Sequence, residues 1–380
     1  MAIPTKIVFG SGTIDHIGQE GLTFGQKALI ICGKSANKFG YTSKIKEALT
    51  RYNINWEVFD EVKSEPSIED AKSAGEIARH FKSDFVIGIG GGSSIDTAKV
   101  VAALATNPVN IADLIGIENI PKPSLPIISI PTTAGSGSEV TRYAVLTDKN
   151  EKTKKEIVSN SIIPKVAIID SDLSQTMTES ITAASGMDAL THAIEGIISH
   201  ESNVLAETLG LKSINLIFTN LEKVIQKPND TESRDKMSLA SLFAGIVIQQ
   251  VRTGLVHAMA RALGGQFNIP HGVANAIVLH NALKFNIDSI SKKAKLIYST
   301  IDPERSNIVS KDDGINLIHA IEDLSANIKI PRTLLNFGVT KEAIPSLSKS
   351  TYAVERLNRV NPKPISIKDI RLIFTECLSD

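Results

Sequence analysis

The apolar residues of this chain change their spacing near residue 178, and that change limits the folds open to it. Before it, apolar residues come in short continuous runs bounded by glycine, proline or polar turns, at 27–32, 55–60, 84–89, 125–130, 143–146, 157–159 and 166–170. Runs of this length, rich in Ile and Val, read as buried parallel strands. Helical spacing separates the first of them, and Ser67, followed by Glu69 and Asp70, marks a capped helix start. A β-α-β-α-β order predicts a right-handed parallel sheet with a nucleotide crevice at the strand C-termini. Beyond Thr178 apolar residues recur at three- and four-residue spacing, with breaks near Asn229, Pro270, Asp302, Pro331 and Pro362. A chain of 380 residues is long enough for two domains. The expectation is an α/β dinucleotide-binding domain over 1–178 and an all-helical metal-binding and substrate domain over 179–380.

Two glycine-bearing stretches in the first half point to ligand chemistry. Gly90-Gly91-Gly92-Ser93 follows the third predicted strand and opens a helix near Ser94. Small residues let the backbone approach a pyrophosphate, and the helix start offers N–H groups and positive potential. As a dinucleotide fingerprint it is irregular, since Ser93 replaces the third glycine, so a tight turn without a ligand stays open. Cys32-Gly33-Lys34-Ser35 resembles the end of a phosphate-binding P-loop. The glycine required five positions earlier is Ala28, so that reading fails. No Gly-x-Ser-x-Gly elbow occurs, which argues against a serine hydrolase.

The helical half carries two pairs of metal-ligand type. Asp188 and His192 are four apart in an Ala-rich, breaker-free segment, on one helix face. His257 and His271 lie fourteen apart, the second just after Pro270. Together they offer one carboxylate and three imidazoles, a set that suits iron(II) or zinc. Taken singly, each histidine also reads as a satisfied core or surface residue.

Gly186-Met-Asp-Ala-Leu-Thr-His192-Ala-Ile-Glu195 and Gly254-Leu-Val-His257…Pro270-His-Gly-Val-Ala-Asn-Ala276 resemble the two signature segments of the iron-dependent (group III) alcohol dehydrogenases. Gly90-Gly-Gly-Ser-Ser-Ile-Asp96-Thr-Ala-Lys99 and Pro131-Thr-Thr-Ala-Gly-Ser-Gly-Ser-Glu139-Val-Thr141 extend the resemblance over residues 1–290. The resemblance implies the dehydroquinate synthase-like fold of that family, with Asp188, His192, His257 and His271 as ligands to Fe2+, or to Zn2+. It implies cofactor phosphates at Gly90, Gly91, Gly92 and Ser93, Asp96 near the nicotinamide, and Thr132, Thr133, Ser136 and Ser138 lining the cofactor. A cofactor-contacting lysine falls on Lys154, with Lys155 as the neighbouring alternative. The implied activity is hydride transfer between NAD(P)(H) and an alcohol/aldehyde pair. Alternatives on the same fold are a reductase of a phosphonate, sulfonate or carboxylate aldehyde, a hydroxyacid–oxoacid transhydrogenase, or a nucleotide-binding relative without catalysis.

The chain departs from the family at two positions. Many NAD-using members have Asp where this chain has Gly33, followed by Lys34 and Ser35. Asp there would repel a 2′-phosphate, whereas Lys34 and Ser35 donate to one, so NADP(H) is expected to be favoured over NAD(H). Many members have His where this chain has Arg261, which cannot act as a base near neutral pH. Arg261 either packs near the cofactor or grips an anionic substrate group. His16, His80, His200, His280 and His319 join no constellation and read as structural or solvated.

Lys plus Arg and Asp plus Glu both number 41, which argues against nucleic-acid or anionic-membrane partners. Two cysteines build no disulfide framework, and no signal-peptide or membrane-length apolar run is present. A cytoplasmic protein acting on a small-molecule alcohol or aldehyde, as a homo-oligomer of two or more chains, is the expectation.

Overall fold

The computed structural model describes residues 3–149, 151, 153–302 and 313–379. They form two compact units, Met1–Met177 and Thr178–Asp380.

In the first unit, β1 (Lys6–Phe9), β2 (Lys27–Cys32), β3 (Asn55–Phe59), β4 (Phe85–Gly90), β6 (Ile127–Pro131) and β9 (Val166–Ile169) form one sheet in the order β1-β9-β6-β4-β2-β3. Every pairing in it is parallel. A smaller sheet joins β5 (Gly116–Ile117), β8 (Thr153–Val158) and β7 (Tyr143–Asp148), with β7 and β8 antiparallel. Helices α1 (Ile17–Leu22), α2 (Lys34–Lys38), α3 (Tyr41–Arg51), α4 (Ile68–Phe81), α5 (Gly92–Thr106) and α6 (Ile111–Leu114) complete the unit. Side chains alternate across the strands, so β2 and β4 send residues into two cores. Ile30, Ile87 and Ile89 meet Ile17, Ile45 and Leu49 on one face. Leu29, Ile31 and Val86 meet Ala71, Ala74, Val100 and Val101 on the other. Ser67 caps α4 as expected, its hydroxyl accepting from Asp70 N at 3.1 Å.

The chain runs from β2 outward to β3 and then returns to β4 on the far side of β2. The β2/β4 boundary is therefore a topological switch point, where open α/β sheets bind ligands beyond the strand C-termini. Cys32 pairs with Ile89 and Gly90 with Pro131, so the turns after β2, β4 and β6 stand side by side at that edge.

The second unit is helical: α7 (Glu179–Ile198), α8 (Val204–Gln226), α9 (Thr231–Val251), α10 (Leu255–Phe267), α11 (His271–Ile301), α12 (Asp313–Asn327), α13 (Ile344–Tyr352), α14 (Glu355–Asn358) and α15 (Ile367–Glu376). Thr178, Asn203 and Asp230 cap α7, α8 and α9 by accepting from Ile181, Ala206 and Ser233 N–H groups. Among the described residues, no single helix is long and apolar enough to cross a membrane.

Candidate metal centre and nucleotide turns

Three helices supply the metal-type residues. α7 carries Asp188 and His192 one turn apart, α10 begins two residues before His257, and α11 begins on His271 itself. Asp188 Oδ1 lies 3.7 Å from His192 Nε2, 3.6 Å from His257 Nε2 and 3.7 Å from His271 Nε2. These separations are too long for hydrogen bonds. Donors held at about 2.1 Å from one shared four-coordinate ion stand about 3.4 Å from each other. The His192 and His257 rings stack with centroids 4.6 Å apart. Asp188, His192 and His257 are buried, whereas 45% of the His271 side chain is exposed.

Two further observations suit a cation here. The Asn275 amide nitrogen donates to Asp188 Oδ1 at 2.8 Å and stands 3.3 Å from both His257 Nε2 and His271 Nε2. One NH2 group thus faces three acceptors, while Asn275 Oδ1 is buried with no partner. That surplus of converging lone pairs is the chemistry a divalent ion satisfies.

Charge follows the same pattern. Burial works to raise the Asp188 carboxyl, but His192, His271 and His257 outweigh it and hold it well below the usual carboxylate range. Burial works to lower His257, and the carboxylates of Asp188 and Glu195 overcome it, raising the ring to about 8. His271 moves down, first by desolvation of its inward edge; Asp188 opposes that shift, while the charges of His257, His192 and Arg261 add to it. Arg261, one helical turn after His257 in α10, is therefore near enough for its charge to act on the cluster.

In the first unit, the glycine turn after β4 has a conformational reason. Gly90 has φ +142°, a region L side chains rarely adopt, and a Cβ there would meet Ser94 Oγ at 2.5 Å. The helix starts at Gly92 rather than near Ser94, with Gly91 as N-cap. The turn follows the fourth strand, because β1 precedes the three strands read from the sequence. Thr132 N donates to Gly90 O at 2.9 Å, and a Cβ on Gly91 would meet Thr133 Oγ1 at 3.4 Å, so the two turns pack together. Ser136 stands against Gly92 at similar range. Ser93 Oγ donates to Ser64 O at 2.6 Å, and Lys154 pairs with the adjacent Glu65 and donates to Thr147 Oγ1 at 2.9 Å. Lys155 instead pairs with Glu151. Of the two neighbouring lysines, Lys154 is thus the one joined to the glycine turn, through segment 64–65. Burial lowers it to about 8.

Asp96 and Ser138 are engaged inside the unit. Asp96 accepts from Ser138 Oγ at 2.5 Å and from Val145 N at 3.0 Å, leaving its side chain 17% exposed. Lys99 is fully buried and donates to Ser138 Oγ, Thr141 Oγ1 and Tyr143 O at 2.8, 3.2 and 2.7 Å. Lys99 shares a sequence motif with the glycines, yet its three bonds tie α5 to the turn after β6 and to the start of β7. Gly33 also has a packing reason. A Cβ there would meet the Val62 carbonyl oxygen at 2.8 Å, so space by itself accounts for the missing aspartate.

A switch-point sheet with glycine turns and a helical unit whose imidazoles ring one carboxylate belong to the metal-dependent nicotinamide oxidoreductases as a class. Within it, the chain is a member of the iron-containing alcohol dehydrogenase family. The description "iron-containing alcohol dehydrogenase" matches residues 4–171, and the family's C-terminal description matches 182–378. The chain is 34% identical to the lactaldehyde reductase of Escherichia coli K12, over 95% of each chain. It is 32% identical to the sulfoacetaldehyde reductase of Bilophila wadsworthia, over 95% of this chain and 94% of the other. A crystal structure of a 1,3-propanediol oxidoreductase superposes with a TM-score of 0.95 at 32% identity, covering 99% of this chain and 98% of that one. The family implies iron and a nicotinamide cofactor.

Proposed function

We propose that the chain interconverts a small alcohol and its aldehyde or ketone, with a divalent ion held by Asp188, His192, His257 and His271. The observation that carries this reading is the approach of three imidazole Nε2 atoms to one oxygen of Asp188 at 3.6–3.7 Å. When bound, the ion polarises an alcohol or carbonyl oxygen and the nicotinamide exchanges the hydride. Asp188 contributes the negative charge, and the three imidazoles contribute neutral lone pairs. Buried His192 and His257 are fixed by stacking, while His271 is the member open to solvent. Gly90, Gly91, Gly92 and Ser93 form the pyrophosphate turn, where the first N–H groups of α5 lack intrahelical partners. Thr132, Thr133, Ser136 and Lys154 border that turn. Asp96 and Ser138 shape it from inside, with the exposed part of the Asp96 carboxyl toward the nicotinamide end.

The test is metal content together with loss of reduced-nicotinamide absorbance over a panel of aldehydes. Turnover that persists undiminished in chelator-stripped protein would sink the reading. NADP(H) is the favoured cofactor, on the strength of Lys34 and Ser35 at the end of β2; the chain is cytoplasmic and works as a homo-oligomer.

One observation favours a narrower substrate class. Arg261 stands one helical turn after His257 on α10, and its positive charge adds to the burial that lowers His271. A fixed cation beside the metal cluster suits an anionic aldehyde, such as a sulfonate or carboxylate, through charge-assisted bonds. Arg261→Ala then raises KM for an anionic aldehyde and leaves a neutral one of similar size almost unchanged. Equal losses for both assign Arg261 to packing or cofactor contact.

A further inference from the structure

Glu195 follows His192 by three residues on α7 and is 4% exposed. A carboxylate this deeply buried needs its oxygens satisfied. Oε2 accepts from Gly254 N at 2.8 Å and lies 2.6 Å from His257 Nδ1; Oε1 accepts from Val256 N at 2.6 Å. The turn from Arg252 to Val256 is wrapped on this one side chain. Arg252 takes φ +65° there, and a Cβ on Gly254 would meet Glu195 Oε1 at 3.0 Å, so glycine lets the backbone close on the carboxylate.

We infer that Glu195 is a positioning residue that fixes the tautomer of His257. The inference rests on the metal reading above. Two of the three partners of Glu195 are backbone N–H groups, which only donate. An ionised carboxylate only accepts, so the third partner, His257 Nδ1, must also donate. A neutral imidazole with its proton on Nδ1 presents a bare lone pair at Nε2, the atom facing Asp188. The carboxylate thus holds the Nδ1 proton, so that when the ring gives up a proton it is Nε2 that becomes the ligating atom, and the carboxylate charge makes that nitrogen a better donor. The same contacts fix where α10 begins and hence where His257 stands.

Glutamine cannot replace this group. Its amide NH2, placed at the Oε1 position, opposes the Val256 N–H. Placed at the Oε2 position, it opposes the Gly254 N–H and turns His257 Nδ1 into an acceptor, which moves the ring proton to Nε2. Aspartate keeps the acceptor-only chemistry and loses reach.

The experiment is zinc affinity by chelator competition, with thermal unfolding measured in parallel, for wild type, Glu195→Asp and Glu195→Gln. Glu195→Gln is expected to weaken zinc binding about 10–100-fold, and Glu195→Asp by less. A purely structural role would lower the melting temperature and leave zinc affinity of the folded chain unchanged; that result overturns the inference alone. Zinc failing to bind the wild-type chain overturns the metal reading, and the inference with it. If Glu195→Gln does not fold, nitrogen NMR of the zinc-loaded, histidine-labelled wild type decides the matter, with His257 assigned by its loss in His257→Asn. A proton on Nδ1 with zinc on Nε2 is expected, and the reverse overturns the inference.

Discussion

Each unit buries a polar cluster, and the two clusters are built on opposite terms. In the α/β unit buried Glu139 and partly buried Asp96 have their own cation, Lys99, whose ammonium makes three hydrogen bonds of 2.7–3.2 Å. In the helical unit Asp188 is surrounded by three imidazoles and an amide, with no lysine or arginine bonded to it among the described contacts. The first cluster carries its own counter-ion. In the second, one Asn275 amide nitrogen faces a carboxylate oxygen and two imidazole nitrogens at once. A buried carboxylate alone does not mark a ligand site; one ringed by the nitrogens of three imidazoles is the donor set a divalent ion takes.

The sharpest break between the clusters is predicted for the loss of one member from each. His257→Ala should abolish metal retention and turnover together while the α/β unit stays folded. Full activity in metal-free His257→Ala would refute the ligand set. Lys99→Met should leave metal content intact and instead lower the unfolding free energy by about 3–5 kcal/mol, the usual cost of leaving buried charge uncompensated. Urea titration reads that loss, and a Lys99→Met chain as stable as wild type would mean that Lys99 is not the internal counter-ion.

The two clusters are not equally legible in the sequence. Asp188 and His192 stand out because helical spacing puts them on one face, and His257 and His271 because they lie fourteen apart in a segment that resembles a family signature. Glu195 shares the helical face of Asp188 and His192, but its role is not legible there, because its partners Gly254 and Val256 lie 59 and 61 residues away. Asn275, one turn after His271, is equally silent until three helices converge. In the α/β unit the interior strands β2, β4 and β6 follow from their apolar runs. β1 escapes a reading by apolar runs because it is four residues long with both ends exposed, and β5 because it has two residues. β8 begins at Thr153, earlier than its apolar residues suggest, since its first half is polar and partly exposed. Gly33 speaks in the sequence only of cofactor chemistry, although the Val62 carbonyl also demands it.

That last point changes how cofactor preference is tested. Gly33→Asp would force its Cβ against the Val62 carbonyl oxygen, so a loss of binding there would say little about the 2′-phosphate. Lys34→Ala avoids the clash, since Lys34 is the first residue of α2 and exposed. If Lys34 donates to the phosphate, the kcat/KM ratio of NADPH to NADH should fall about tenfold, the equivalent of one charge-assisted bond. An unchanged ratio would remove the basis for an NADP(H) preference.

The smallest effect expected is a pH dependence confined to the self-sufficient cluster. It holds two carboxylates and one ammonium, so full ionisation leaves excess negative charge in a buried place. Burial raises Glu139 to about 7 from 4.5, with Lys99 opposing, and burial lowers Lys99 to about 8. The folded chain therefore binds a proton at Glu139 that the unfolded chain has released between pH 4.5 and 7. Through that window stability from this group falls as pH rises. Lys99 acts only above it, where stability rises from about pH 8 toward 10.5. Glu139→Gln keeps the shape and removes the titration. The single tryptophan, Trp56 on β3, reports unfolding of this unit by fluorescence. Urea midpoints of wild type should drop between about pH 5 and pH 7.5 by more than those of Glu139→Gln. Equal drops in the two proteins would mean that Glu139 is already ionised at pH 5, with Lys99 neutralising it in place, and that the cluster carries its second carboxylate without a proton.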